Sequence, residues 1–193
     1  MIAGAPDIIQ RAKPNTETVI MTLDNQEAIK EARDQMNLVL SFFARVDAKA
    51  SVVLAVNTGM LAVLASNAPT ARNLSISAAV AAGLAALLIA ASLWFLYKVA
   101  FPALNGGHES LVFFREIARR TEARFIEEFI AQDKASRLKD LLGQVWRNSE
   151  ILKLKFDALR FAFILMAIAI IPWVIAIALL SAQHGAAGSL ILR

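Results

Sequence analysis

The side chains best suited to chemistry lie in one apolar run at residues 42–65, FFARVDAKASVVLAVNTGMLAVLA. One acidic and two basic residues stand near its start, and an amide and two hydroxyls lie further in. Such groups are costly to place in a bilayer unless they pair with one another or line water. Repeated around an oligomer axis, they would form a ring that selects or gates ions. The pore or gate candidates are Asp47, Lys49, Ser51, Asn57 and Thr58.

The same residues have structural interpretations, which the sequence leaves open. Asp47 and Lys49 could form an interfacial ion pair, with the lysine stem along apolar surface and its ammonium in water. Asn57 could hydrogen-bond a neighbouring helix and so hold two helices together. In either role Asn57 requires tight packing or oligomerisation, because an amide that faces lipid loses its hydrogen bonds.

Four arginines within ten residues form a second candidate site. Guanidinium groups match the geometry of phosphate oxygens. The cluster therefore predicts either attraction to anionic lipid or a surface for a nucleotide, an oligonucleotide or a partner. Their four-residue spacing can place them in pairs on one helix face, and no Gly-rich phosphate loop accompanies them in the sequence. The ligand- or partner-binding candidates are Arg115, Arg119, Arg120 and Arg124.

The sequence offers no arrangement suited to catalysis. The carboxylates between Glu116 and Asp140 lie among Lys and Arg, without the apolar setting that would raise a pKa for acid–base work. Ser110 has no base spaced to activate it. The chain contains no Cys, and His108 and His184 lie far apart in sequence, so we expect no metal and no other cofactor. We therefore expect that the protein is not an enzyme.

The composition is typical of a membrane protein with a polar part. Hydrophobic residues make up 58% of the 193 residues, above the roughly 45–50% of soluble domains, and the excess lies in three blocks. A bilayer core needs about 20 apolar residues, which each block approaches or exceeds. The first block is the least hydrophobic, so we expect it to face other protein rather than lipid all round. Pro172 inside the third block predicts a kink.

The predicted fold class is an all-α membrane protein with three transmembrane helices. Two long helices extend from the membrane into a cytosolic helical bundle, and the protein is expected to be oligomeric. The first 45 residues contain no apolar signal segment, so no cleaved leader is expected. The predicted segments are a flexible tail at 1–23, a cytosolic helix at 24–49, transmembrane helices at 50–68, 74–101 and 161–180, a cytosolic helical region at 108–160 and a short external tail at 181–193.

The basic residues predict the orientation in the membrane. Six Lys and Arg lie in the N-terminal region up to Lys49, one in the turn between the first two blocks, twelve between Lys98 and Arg160, and one in the C-terminal tail. Cytoplasmic loops carry the excess of positive charge. We therefore expect a multi-pass membrane protein with the N-terminus in the cytoplasm and the C-terminus outside.

Three runs also resemble a known family. RVDAKASVVLAVNTGMLAVL at 45–64 resembles the opening membrane helix of the Pycsar-type transmembrane effectors of bacterial anti-phage defence. HESLVFFREIARRTEARFIEEF at 108–129 and ILKLKFDALRFAF at 151–163 are similar to later segments of that family, in the same order. The positions carried over by this resemblance are Asp47, Lys49, Ala50, Asn57, Ser110, Phe113, Phe114, Ile117, Ala118 and Lys155.

The resemblance implies an effector that is silent until a partner nucleotide cyclase or nucleotidyltransferase makes a cyclic nucleotide or oligonucleotide. The effector would then damage the membrane and stop the infected cell. Some members of the family carry an added cyclic-nucleotide-binding domain, for which this chain has no room. Sensing is therefore expected in the cytosolic helices or in a separate protein.

Together these observations predict an oligomeric gated ion channel or pore, with a tetramer favoured. Binding of the signal to the cytosolic helices would shift their packing and tilt or rotate the first membrane helix. The alternative is a non-conducting anchor or scaffold that holds the partner cyclase or nucleotidyltransferase at the membrane. A membrane enzyme is disfavoured, because the sequence has no catalytic set.

Overall fold

The computed structural model describes residues 25–68, 75–101, 107 and 109–191, and it describes side chains as far as residue 183. The predicted tail at 1–23 lies outside these residues, as do Asp24, His108 and the side chain of His184. The helices are α1 (Asn25–Ser66), α2 (Ile76–Ala100), α3 (Phe114–Ala118), α4 (Glu122–Ala131) and α5 (Lys134–Ile191). The described part contains no strand, which confirms the all-α prediction.

Three of these helices are long and apolar enough to cross a bilayer, as the sequence predicts. Within the described residues, the qualifying stretches are Gln26–Ser66, Ile76–Ala100 and Lys134–Gln183. α5 continues through Pro172 to Ile191, past residue 180 where the third transmembrane helix was predicted to end. α1 likewise runs from the polar N-terminal stretch through the first apolar block without a break, since no Pro interrupts it.

The chain divides into two compact units. The first comprises Met1–Met36 and Gly107–Val145, and the second comprises Asn37–Gly106 and Trp146–Arg193. α1 and α5 each contribute residues to both units, whereas α2 belongs to the second, and α3 and α4 belong to the first.

The first unit has a small core between α1 and α5. Ala28 and Ala32 of α1 pack with Leu138 and Leu141 of α5, and each pair has the three- or four-residue spacing of one helix face. The Asp133 carboxylate accepts hydrogen bonds from the Ser136 backbone N–H and hydroxyl, both at 2.8 Å, so it caps the start of α5. These bonds, the backbone one first, hold the pKa of Asp133 below its ordinary value.

The second unit is an up-down-up arrangement of α1, α2 and α5. α1 and α5 run parallel, since Asp47 contacts Lys155 near one end and the Met60 carbonyl accepts a hydrogen bond from Trp173 Nε1 at 2.9 Å near the other. α2 runs the opposite way, because its first residues lie beside the end of α5 and its later residues beside the middle of both neighbours. The buried core is Val46, Val53, Met60, Ile89, Leu96, Val99, Ala158, Leu159, Ala162, Met166 and Ala169.

The outer surface of the second unit is apolar. Val52, Val80, Leu87 and Ile171 are each more than 60% exposed within the chain. Soluble monomers rarely expose apolar patches of this extent. The outward residues therefore face lipid or other membrane helices, which supports a membrane location.

Candidate functional site

An ion pair joins α1 and α5 where both helices become apolar. Lys155 Nζ lies 2.7 Å from Asp47 Oδ1, and the Lys155 side chain is only 8% exposed against 54% for Asp47. The Lys155 ammonium also lies 5.4 Å from the centre of the Phe43 ring, within the range of a cation–π contact. A buried ammonium is costly without a counter-ion. Asp47 therefore has a partner 108 residues away, rather than the neighbouring Lys49 considered from the sequence.

The two charged pore candidates on α1 line different cavities. Asp47 and Ser51 line a cavity of about 260 Å³, together with Leu96, Val99 and Lys155. Lys49 lines a separate groove, because two residues along a helix correspond to a turn of about 200°. The Ser51 hydroxyl donates to the Asp47 carbonyl at 2.9 Å, so its donor capacity is used within α1.

A buried hydrogen-bond chain joins the three helices near the middle of the apolar block. Asn57 Nδ2 donates to Ser92 Oγ at 2.8 Å, and the Ser92 hydroxyl donates to the Ala162 carbonyl at 2.8 Å. Asn57 and Ser92 are both fully buried, and Asn57 Oδ1 has no hydrogen-bond partner in the described part of the chain. Thr58 is exposed instead, and its hydroxyl donates to the Leu54 carbonyl. In the single chain Asn57 therefore acts between helices rather than along an aqueous path.

Two residues of these polar contacts, Ser92 and Lys155, were not identified as site residues from the sequence. Ser92 is a polar residue within the apolar second block, and that position was a usable signal. Lys155 was named only through the family resemblance. Nothing in the spacing of Lys155 distinguishes it from the exposed Lys153 beside it.

The four arginine candidates differ in what they contact. Arg120, with a side chain 10% exposed, donates to Glu128 Oε2 at 2.6 Å, and also to the Glu109 carbonyl at 2.9 Å and the Glu116 carbonyl at 2.7 Å. Its guanidinium is thus committed within the first unit. Arg124, 70% exposed, donates to Glu128 Oε1 at 2.7 Å, and Arg119, 65% exposed, pairs with Glu116 at 2.5 Å.

Arg115 is exposed on α3, so it shares with Arg119 and Arg124 the access to solvent that Arg120 lacks. Hydrogen bonds from Arg124 first and Arg120 second hold the pKa of Glu128 below its ordinary value. The same contact with Glu128 raises the pKa of Arg124. A phosphate ligand on this surface would have to compete with these carboxylates.

Ser110 anchors the turn that leads into α3. Its buried hydroxyl oxygen accepts hydrogen bonds from the backbone N–H groups of Val112 and Phe113 and from Gln144 Nε2, at 3.0–3.1 Å. The turn needs a left-handed backbone at Gly107 and at Glu109, with φ of 84° and 63°. A side chain at Gly107 would meet the Phe113 ring at 2.9 Å. These contacts give Ser110 a structural role, and no nucleophile is arranged there.

The described residues also contain no cluster of three or more His, Cys, Asp or Glu that could hold a metal ion. The chemistry available in this part of the chain is therefore that of buried ion pairing and of exposed guanidinium groups.

Comparison with known proteins identifies the family. Residues 31–182, most of the chain, match the PycTM family model, described as a Pycsar effector protein domain. The chain belongs to the Pycsar effector family. This Pycsar effector is accordingly an anti-phage effector membrane protein, and its domain is not a known enzyme family. No curated protein and no solved structure matches the chain.

Removing the carboxylate of the buried ion pair should destabilise the second unit. Asp47→Asn leaves the Lys155 ammonium buried without a counter-ion, at a cost of about 1–3 kcal/mol. Asp47→Asn/Lys155→Met should recover part of that loss, because no unpaired charge remains. Thermal unfolding of the purified protein in detergent measures both, with Asp157→Asn as the exposed control. Equal stabilities for Asp47→Asn and the control would contradict the assigned pair.

The first unit should lose the contribution of Glu128 in acid. Because its pKa is lowered on folding, the carboxylate stabilises the fold above its unfolded pKa, and this contribution disappears as the pH falls through the lowered value. Glu128→Gln should therefore lower the unfolding temperature at neutral pH but make little difference in strong acid. Circular dichroism melts across this pH range test it, with the exposed Glu127→Gln as the control. A difference between wild type and Glu128→Gln that does not change with pH would disprove the ion-pair origin.

Proposed function

We propose that this Pycsar effector is an oligomeric gated ion channel or pore of the bacterial inner membrane. A nucleotide-type signal or the partner enzyme opens it, and the resulting loss of membrane integrity ends the infected cell. The observation that carries the proposal is the Asp47–Lys155 pair at the start of the apolar segments of α1 and α5. Ionisable groups within or beside membrane helices generally mark ion paths or gates.

An outward strip of α1 supports self-association. Ser51, Ala55 and Ala62, together with the adjacent Thr58 and Gly59, lie along one side of the helix and are all exposed. Small residues on one side of a helix let membrane helices approach one another closely. A Cβ atom built on Gly59 meets nothing within 4 Å, so the glycine is not required by packing within the chain. In the proposed oligomer, with a tetramer favoured, α1 strips from neighbouring copies face one another.

The proposed gate uses the two polar connections of α1. In the closed arrangement, Asp47 pairs with Lys155, and Asn57 is buried against Ser92. A rotation of α1 would bring Asp47 toward the axis, beside Ser51 and Thr58 of the outward strip. It would also expose Asn57, whose Oδ1 lacks a hydrogen-bond partner among the described residues of the closed form. Lys49, also a gate candidate from the sequence, lines a different groove in this arrangement.

Continuity of α1 and α5 supports the coupling to a signal. Both helices contribute residues to the first and second units, so a ligand bound to the first unit can shift the membrane segments directly. Arg115, Arg119 and Arg124 are the proposed contacts for a cyclic nucleotide, an oligonucleotide or the partner enzyme. The charge count supports a cytoplasmic location for the first unit, on the side of the membrane where such a signal is made.

A non-conducting scaffold is the second candidate function. Phe114, Ile126 and Ile130 are exposed by 63%, 47% and 77% on α3 and α4, outside the predicted membrane segments. Exposed apolar residues of this kind often mark a protein-binding surface. A scaffold would use them to hold the cyclase or nucleotidyltransferase at the bilayer without conducting ions.

Ion flux through proteoliposomes separates the two functions. We expect the purified wild-type protein, given the product of a partner cyclase or nucleotidyltransferase, to release a trapped ion. Asp47→Asn should change the ratio of cation to anion flux, because it removes a carboxylate beside the proposed path. Asp157→Asn removes an exposed carboxylate of α5 outside the proposed path and should leave that ratio unchanged. The absence of flux with every partner product tested, with partner binding retained, would exclude the channel in favour of the scaffold.

Self-association through α1 is tested by enlarging Gly59. Gly59→Leu adds a bulky side chain to the proposed interface and should shift the protein toward smaller assemblies, as measured by light scattering in detergent. Gly83→Leu on α2 is the matched control, because a Cβ there also meets nothing within 4 Å. Equal effects of the two substitutions would argue against α1 as the interface.

A further inference from the structure

A second cavity lies between α1 and α5 in the second unit, away from the Asp47–Lys155 pair. Its volume is about 570 Å³, within the range of roughly 300–1,000 Å³ that small-molecule pockets span. Val53 and Leu159, both buried, are among its lining residues, as are the half-exposed rings of Phe156 and Phe163. The cavity is therefore an apolar groove within the membrane-spanning unit, open to whatever covers these helices.

Two cations are among the residues that line this groove. Lys49 and Arg160 both line it, and each is the last charged residue before its helix becomes apolar. Both side chains are exposed, and within the described residues neither forms an ion pair or a hydrogen bond. Asp157 stands one turn before Arg160, but no ion pair joins the two. The groove thus combines two cations with an otherwise apolar lining.

We propose that this groove binds one anionic phospholipid, with the lipid phosphate held by Lys49 and Arg160 and an acyl chain lying against Val53, Leu159 and Phe163. A phosphate complements two cations that have no ion-pair partner within the described part of the chain, and guanidinium groups bind phosphate oxygens in a forked geometry. Acyl chains complement the apolar body, since the groove lies where α1 and α5 enter the bilayer. A second copy of the chain fits less well, because it would have to supply two anions at the same depth.

The proposed binding of an anionic lipid rests on the two cations in the lining of the groove, and it does not depend on ion conduction. A zwitterionic lipid offers the same chains, but its own cation offsets the attraction of the phosphate to the two basic groups. A soluble glycerol phosphate offers the phosphate without the chains. Binding that needs both features would distinguish this site from ordinary lipid contact and from a simple anion site.

Native mass spectrometry of the full chain in detergent tests the proposal directly. We expect phosphatidylglycerol to bind with one-to-one stoichiometry per chain and to raise the unfolding temperature, and phosphatidylcholine and glycerol phosphate to do neither. Removing both charges with Lys49→Gln/Arg160→Gln should weaken phosphatidylglycerol binding about 30-fold, given the usual contribution of each basic group near a membrane surface. Lys139→Gln/Lys153→Gln removes two exposed charges of α5 outside the groove and should leave binding unchanged.

The charge-conserving exchange Lys49→Arg/Arg160→Lys keeps the proposal testable if the neutral variant folds poorly, because it should retain binding. Equal binding of phosphatidylcholine would overturn the proposal in favour of unspecific lipid contact. Stabilisation by glycerol phosphate alone would overturn it in favour of a free anion site. A changed subunit number in Lys49→Gln/Arg160→Gln, with lipid binding unaltered, would show that a second copy fills the groove.

Discussion

The buried ammonium of Lys155 constrains the arrangement of the whole second unit. The Lys155 side chain is only 8% exposed among apolar helices, so its ammonium requires a counter-ion, and Asp47 is the carboxylate at 2.7 Å. This requirement determines how far α5 is shifted along α1, and the Trp173–Met60 hydrogen bond further along agrees with the same register. α2 then has to present Ser92 between Asn57 and the Ala162 carbonyl, because both groups lie inside the unit.

Polar contacts carry this specificity because apolar contacts cannot do so alone in a bilayer. Lipid tails are as apolar as the helix surfaces, so burial gives little preference for one register over another. Small residues with no exposure, including Ala78, Ala85 and Ala169, allow the helices to approach closely. The arrangement leaves one of its central polar atoms unsatisfied, because Asn57 Oδ1 is buried and has no hydrogen-bond partner among the described residues. In the proposed mechanism, an open form that hydrates this oxygen recovers part of the free energy lost when the polar chain breaks.

The sequence predicts the helices well and the contacts between them poorly. The lengths of the membrane spans follow from the thickness of a bilayer, and the capping role of Asp133 follows from local chemistry at the start of α5. Each can therefore be predicted from a single segment of the sequence. The partner of Asp47 cannot be predicted in this way, because Lys155 lies 108 residues further along the chain and the pairing depends on how α1 and α5 pack. In the sequence, Arg120 looks like the other three arginines. In the structure, it donates to the carbonyl of Glu109, which lies in a turn with a left-handed backbone, and the sequence does not show that turn.

The first membrane helix is weakly hydrophobic because each of its faces makes different contacts. Asp47 and Asn57 face α5 and α2, Lys49 faces the groove beside Arg160, and the strip from Ser51 to Ala62 faces outward. About 100° separates successive residues of a helix, so these faces cannot move independently. A rotation of α1 that weakens the Asp47–Lys155 pair must also displace Lys49 from the groove and turn the outward strip. If both proposals hold, an anionic lipid bound to Lys49 and Arg160 resists opening, and the membrane itself contributes to keeping the effector silent.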